Sequence, residues 1–373
     1  MRSKLRIMCE SRGPSRSMNA RLAGRPLRIA QVAPLYESVP PKYYGGTERI
    51  VSYLTEALVA LGHDVTLFAS GDSETSATLV PVCPQALRLD PNCIDQLAHH
   101  IILLEQVMQQ SDEFDVIHFH IDYMHFPLSR RQSYRHVTTL HGRLDIPDLA
   151  PLYRAFREMP VVSISDSQRE PLPWANWQAT VYHGLPVDLY RFRPESGDYL
   201  ACLGRISPEK GVDRAIEIAR QVGIPLRIAA KVDKADRDYF ESVVEPMLHD
   251  PLVEFLGEIG DDRKGDFLGN ARALLFPIDW PEPFGLVMIE AMACGTPVIA
   301  YSSGSVPEVM EEGRTGFIVR EVDDAVEAVR RVPQLSRARC REIFEQRFTA
   351  DRMARDYVEV YEQLIARSAK RVA

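Results

Sequence analysis

Glu282 and Glu290 are two carboxylates with seven residues between them. Glu282 sits between Pro281 and Pro283, in a loop that cannot be helical. Glu290 lies about one and a half turns into an apolar stretch that reads as a helix beginning near Gly285. A helix N-terminus presents unpaired backbone N–H groups and the positive end of the helix dipole, so it attracts an anion. The spacing therefore offers one carboxylate beside a helix mouth, a second on the helix behind it, and exposed amides between them. A ligand carrying both phosphate and hydroxyl groups, such as a nucleotide sugar, suits that arrangement.

Other clusters have chemistry of their own. Arg205 and Lys210 bracket a Pro-containing turn in Leu203-Gly-Arg-Ile-Ser-Pro-Glu-Lys-Gly211. Two cations after a strand and before a helix can clamp a diphosphate. Gly45-Gly46-Thr47-Glu48 opens a helix, and glycine lets the backbone approach a phosphate closely. A simple turn before a helix would look the same. His141-Gly142 ends a strand, where Gly142 permits a sharp turn and leaves the His141 ring at a sheet edge, able to hydrogen-bond a substrate.

His118-Phe-His120-Ile-Asp122 follows the order of a metallohydrolase signature, but position 123 is Tyr and no downstream ligand set follows. One buried histidine and one cleft-facing histidine is the preferred reading. Asp236 and Asp238 form a D-x-D pair, yet they fall in the first turn of a helix, where acids simply suit the dipole.

These residues need strands and helices to place them. Short apolar runs at Leu27–Ala33, Val65–Ala69, Val116–Phe119, Val137–Leu140 and Val161–Ile164 alternate with helical periods such as Thr47–Leu61. After Arg191-Phe-Arg-Pro194 the alternation restarts. Strands are expected at Tyr199–Leu203, Leu226–Ala230, Val253–Leu256, Ala273–Phe276 and Pro297–Ala300. Helices are expected at Val212–Val222, Ala235–Leu248 and Gly285–Ala293. This βαβ pattern implies parallel sheets. The fold class is α/β, with two doubly wound Rossmann-like domains facing across a cleft. The expected division is a basic arm over 1–27, disordered, then domains at 28–185 and 186–348. A final amphipathic helix near 349–369 can pack on either half.

Composition narrows the function. The 373-residue chain is 45% hydrophobic and 26% charged, with a net charge of −8. That balance argues against a general nucleic-acid-binding surface. No apolar run reaches the roughly 20 residues that span a bilayer. Six scattered cysteines with no C-x-x-C pair suit a reducing, cytoplasmic setting. The arm holds Arg2, Lys4, Arg6, Arg12, Arg16, Arg21 and Arg25 against the single acid Glu10, so it could touch an anionic membrane surface.

Taken together, these motifs resemble glycosyltransferase family 4, retaining enzymes of GT-B architecture. The resemblance covers about residues 27–369. Its most specific element is the Glu282–Glu290 block with Ala-Met-Ala-Cys-Gly-Thr-Pro-Val after it. The Gly204–Gly211, Gly45–Arg49 and Thr139–Gly142 segments follow. The resemblance implies a hexose moved from a nucleoside-diphosphate sugar to an acceptor, with no metal and no cofactor. Arg205 and Lys210 would bind the diphosphate, Glu290 the ribose, and Glu282 the sugar hydroxyls. Amides around Phe284, Gly285, Leu286 and Val287 would meet sugar and phosphates. Gly45 and Gly46 would close from the other domain, and His141 would orient the sugar. Two places depart from the family pattern: His183-Gly184-Leu-Pro-Val-Asp188 in the interdomain segment, and Ala229-Ala-Lys231-Val-Asp233. Lys231 becomes a candidate nucleotide contact. Tyr43, Tyr44, His120, Trp174 and Trp177 are candidates for the acceptor side. A hydrolase built on His118, His120 and Asp122, an epimerase, and a non-catalytic nucleotide-sugar-binding protein are the rival expectations. The acceptor, the base and the oligomeric state are not specified.

Overall fold

The computed structural model describes residues 25–43, 45–132 and 135–372, with side chains to 367. Tyr44 and residues 1–24 of the basic arm lie outside the described residues. Arg25 and Leu27, expected within the arm, are joined to the first lobe. Arg25 pairs with Asp115 at 3.1 Å, and Leu27 is buried.

The first lobe is a parallel sheet of β1 (Arg28–Val32), β2 (Asp64–Ser70), β3 (Thr78–Cys83), β4 (Val116–Phe119), β5 (His136–Thr139), β6 (Val161–Ser163) and β7 (Trp177–Thr180). The strand order is β3-β2-β1-β4-β5-β6-β7. The second lobe holds β8 (Tyr199–Ile206), β9 (Leu226–Val232), β10 (Val253–Gly257), β11 (Ala271–Phe276), β12 (Val298–Tyr301) and β13 (Gly316–Val319). Its order is β10-β9-β8-β11-β12-β13. The strands pair in parallel throughout, as buried βαβ repeats require.

Each sheet's order reverses beside its first strand: β1 lies between β2 and β4, and β8 between β9 and β11. Ligand crevices form at the carboxyl ends of strands at such switch points. The helices that carry the site follow from there. They are α1 (Gly46–Ala60), α2 (Val212–Val222), α3 (Asp261–Gly269) and α4 (Leu286–Cys294).

The final helix, α5 (Ala350–Val372), packs back on the first lobe. Its tyrosines Tyr357 and Tyr361 are fully buried and bond to Thr139 and His118 of that sheet. The chain crosses between lobes twice, and the crossings are tied together. Leu185 N–H donates to Phe348 O at 2.9 Å, and Ala350 N–H donates to Leu185 O at 2.8 Å.

Three strands were not expected from the sequence: β3, β7 and β13. All three are sheet edges. An edge strand buries little, so β3 and β7 lack a full apolar run. Pro81 in β3 is tolerated there because an edge needs fewer N–H donors. The helix expected over Ala235–Leu248 is present but irregular. It starts with a tight turn at Lys234–Asp236 and runs on through Met247 with a π-helical segment at Phe240–Val244. Pro246, which lacks an N–H, stands two residues after that segment.

Candidate functional site

In the second lobe, Arg205 is the penultimate residue of β8, and a single tight turn at Pro208–Lys210 leads into α2. Gly211 makes the join at φ +66, where a Cβ would collide with the Pro277 carbonyl. The turn points Lys210 at the next loop, after β11. There its ammonium forms an ion pair with Glu282 and lies 4.7 Å from the centre of the Trp280 ring. Trp280 Nε1 donates to the same Glu282 carboxylate at 3.0 Å. Arg205 is held by Glu209 at 2.6 Å and by Asp236 at 3.4 Å. Asp236, expected only to suit a helix dipole, thus orients an arginine of the site.

Gly285 caps α4 at φ +73, beyond the reach of most side chains. A Cβ there would meet Met288 Cε at 2.8 Å and the Phe276 ring at 3.2 Å. Glu290 stands on the next turn, 4% exposed, and is held by Lys264 of α3 at 3.1 Å and by the Tyr190 hydroxyl at 3.4 Å.

In the first lobe, Gly45 precedes α1 and Gly46 opens it. A Cβ on Gly46 would lie 3.8 Å from Leu286 Cδ1, the first residue of α4. Two helix N-termini, one per lobe, therefore face the same space. Arg49, one turn into α1, forms an ion pair with Asp261 of α3 across the lobes.

The cleft between these walls has a volume of about 620 Å³, within the usual range for small-ligand sites. Gly45, Gly46, His120, His141, Arg205, Lys210, Lys231, Glu282, Phe284, Gly285, Leu286, Val287 and Glu290 all line it. So does Tyr43. Trp174 and Trp177, expected as shapers of the acceptor side, are not among the lining residues. Trp177 belongs to edge strand β7, and its Nε1 donates to Leu172 O at 2.9 Å.

A histidine cluster forms the floor on the first-lobe side. His118 Nδ1 is 2.7 Å from the Tyr361 hydroxyl, and its Nε2 is 2.7 Å from Thr139 Oγ1. His120 Nε2 is 2.7 Å from Gln31 Oε1, and its Nδ1 is 2.9 Å from His141 Nε2. His141 stacks on His183, with ring centres 5.4 Å apart and planes 17° apart. Burial holds His118, His120 and His183 well below the ordinary histidine value and pushes His141 down to about 3. All four are neutral at pH 7. Both ring nitrogens of His118 and of His120 are engaged, so neither offers a lone pair to a metal ion. Among the described residues, no group of three or more His, Cys, Asp or Glu is placed to hold one.

Gly142 differs from expectation. Its φ is outside the left-handed region, and a Cβ there would meet nothing within 4 Å. His141 is placed by its hydrogen bond and stacking, with no need for a glycine-only turn. Sequence reasoning missed Lys264 and Trp280, which also line the cleft, as does Asp122, singled out there only as part of the hydrolase reading. Lys264 sits in no motif; only the fold brings α3 to Glu290. Trp280 was legible as a neighbour of Glu282. Asp122 has φ +49, rare for a residue with a side chain, and burial raises its carboxyl to about 6.

The family model "Glycosyltransferase Family 4" matches residues 44–175, and "Glycosyl transferases group 1" matches residues 191–347. The chain is 24% identical over 383 aligned residues to D-inositol 3-phosphate glycosyltransferase of Streptomyces avermitilis, covering 85% of this chain and 82% of the relative. Sucrose-phosphate synthase (tll1590) from Thermosynechococcus elongatus shares the fold with a TM-score of 0.75 at 21% identity, over 91% of this chain and 100% of the other. Anabaena Alr3699/HepE, solved with UDP and glucose, does so with a TM-score of 0.69 at 18% identity, over 90% and 100%. With each lobe matched by its own model, in order, on either side of one cleft, the chain belongs to the GT4-type glycosyltransferases of GT-B architecture.

Proposed function

We propose that this glycosyltransferase moves a hexose from a nucleoside-diphosphate sugar to a hydroxyl of a saccharide, lipid or small-molecule acceptor, with retention at the anomeric carbon. One observation carries the reading. Arg205, Lys210, Glu282, Glu290 and the N-termini of α1 and α4 all line a single cleft between the lobes. The UDP and glucose bound by Anabaena Alr3699/HepE support the donor class.

The leaving diphosphate gains negative charge as the glycosidic bond breaks. Arg205, Lys210 and the two helix mouths lie where they stabilise that charge, which is the largest catalytic term available in such a site. Glu290 accepts from ribose hydroxyls and Glu282 from the sugar. His141, neutral, orients the sugar. The acceptor hydroxyl attacks from the face that the diphosphate leaves, and the leaving phosphate takes its proton. No residue becomes covalently attached, and no metal is needed. Lobe closure around the donor excludes water.

The test is a screen of uridine, guanosine and adenosine diphosphate sugars by thermal shift, then transfer of labelled sugar to candidate acceptors with and without EDTA. A donor at 100 times its Kd adds about 2.7 kcal/mol of stability. Product of inverted anomeric configuration would rule out retention. Loss of transfer in EDTA would rule out metal independence. Free sugar as the only product in every acceptor mixture would reject the transferase assignment of donor and acceptor.

A further inference from the structure

One amide sets the direction of the buried hydrogen bonds that lead to His141. Gln31, on β1, is fully buried. Its Nε2 donates to the Tyr361 hydroxyl at 3.2 Å, so its Oε1 faces His120 Nε2 at 2.7 Å. An amide oxygen only accepts. His120 therefore carries its proton on Nε2, and its Nδ1 is left as an acceptor. His141 Nε2 lies 2.9 Å from that atom and must be the donor. A neutral His141 protonated on Nε2 has a bare Nδ1. That Nδ1 has no hydrogen bond among the described residues, and His141 is half-buried in the cleft wall.

The hydrogen bonds continue on the other side of Gln31. The Tyr361 hydroxyl, accepting from Gln31, still has its own proton to offer and lies 2.7 Å from His118 Nδ1; His118 Nε2 is 2.7 Å from Thr139 Oγ1, which is 2.8 Å from the Tyr357 hydroxyl. Turning the Gln31 amide over would put its NH2 against His120 Nε2, and His141 Nδ1 would become a donor. The amide as it stands, with its nitrogen towards Tyr361 and its oxygen towards His120, sets the direction that runs to His141. The His183 ring, stacked on His141, keeps the imidazole plane from swinging out of line.

We propose that Gln31 and Tyr361 are positioning residues that fix His141 as the Nε2–H tautomer, so that its Nδ1 meets a substrate hydroxyl as a hydrogen-bond acceptor. The substrate part of this rests on the reading that His141 faces the donor sugar. Tyr361 never enters the cleft lining; it acts through Gln31 and His120. Its place on α5 makes the final helix part of the machinery of the site as well as of the core.

The experiment is long-range 15N–1H NMR of the full chain, labelled on histidine and free of ligand, at pH 7.5. The His141 signals are identified by their loss in His141→Gln. The expected wild-type pattern is a protonated Nε2 and a bare Nδ1. Tyr361→Phe keeps the ring and its packing but frees the Gln31 amide, so His141 should become a mixture of tautomers. Tyr357→Phe, on the same helix and equally buried, should leave His141 unchanged, because Tyr357 bonds Thr139 and touches neither Gln31 nor His120. In the transfer assay, Tyr361→Phe should lower kcat about tenfold, the scale of one hydrogen bond, with KM for the nucleotide sugar little changed. The proposal fails if wild-type His141 is protonated on Nδ1, if Tyr361→Phe leaves its pattern intact, or if Tyr357→Phe alters it. These readings need no substrate, so an inactive wild-type protein would count against the proposed donor and not against the relay.

Discussion

Lys210 and Glu282 form an ion pair although they leave different strands, β8 and β11, and stand 72 positions apart. The cation expected to hold phosphate is thus already joined to the carboxylate expected to hold sugar. Trp280 braces both. A bound donor must share or replace this pair.

Removing the ammonium tests that arrangement first. Lys210→Ala should lower turnover by about 10²-fold, the scale of losing one transition-state donor. Glu282→Gln should do the opposite for the bare nucleoside diphosphate. It releases Lys210 from a partly exposed pair of up to about 1 kcal/mol, so the diphosphate should bind up to roughly fivefold tighter while sugar transfer falls. Calorimetry beside initial-rate kinetics distinguishes these effects. Equal losses of diphosphate binding in both variants would contradict the assignment.

Glu290 is held by Lys264 and Tyr190, and its role can be isolated chemically. Glu290→Gln should weaken nucleoside diphosphate binding about tenfold, as loss of a charged hydrogen bond does. With a 2′,3′-dideoxy nucleotide, variant and wild type should bind alike. A difference that persists without the ribose hydroxyls would remove Glu290 from ribose recognition.

Two glycines of the motifs should respond oppositely to alanine. Gly285→Ala places a Cβ against Met288 and Phe276 at φ +73. It should cost at least the roughly 1–2 kcal/mol of a left-handed residue and displace the amides at the α4 mouth. Gly142→Ala meets open space and should keep both melting temperature and activity. Thermal unfolding of the two variants decides, and a stable, fully active Gly285→Ala would be the contrary result.

Acid should unfold the protein from a pH where its carboxylates are still ionised. His118, His120, His125, His141 and His183 are all held below their ordinary value by burial, His141 at about 3. Below pH about 6.5 the unfolded chain takes up protons that the folded chain refuses. Their stabilisation is complete above that pH and is lost as pH falls towards the folded values. Each fully titrating group contributes about 1.4 kcal/mol per pH unit. Asp122, raised to about 6 by burial, works in the opposite sense: its contribution is present at low pH and lost as pH rises through 6. His63 and His100, also lowered by burial, add to the five, and Glu37 and Glu48, also raised by burial, add to Asp122; seven histidines outweigh three carboxyls, so the urea midpoint should drop between pH 7 and 5. A flat midpoint over that range would show that the histidines are accessible to protons.

Much of this site is legible in the sequence. Glu282, Glu290, Arg205 and Lys210 sit in local motifs, and a strand followed by a turn and a helix fixes where its terminal residues point. The helix start near Gly285 and the βαβ alternation were legible for the same reason, because both are short-range. Edge strands β3 and β7 were not, since half-exposed strands carry no clear pattern, and β13 is only four residues long although mostly buried.

What the sequence alone determined was the set of chemical groups at each strand end, because backbone geometry over a few residues dictates it. What only the tertiary structure decided was which of those ends meet. Lys210 reaches Glu282, Lys264 reaches Glu290, and Tyr361 governs His141 from 220 positions away through Gln31 and His120. Such pairings depend on how whole sheets and a returning helix pack. Burial then turns four ordinary histidines into permanently neutral ones. No local spacing encodes that, because desolvation belongs to the folded interior as a whole.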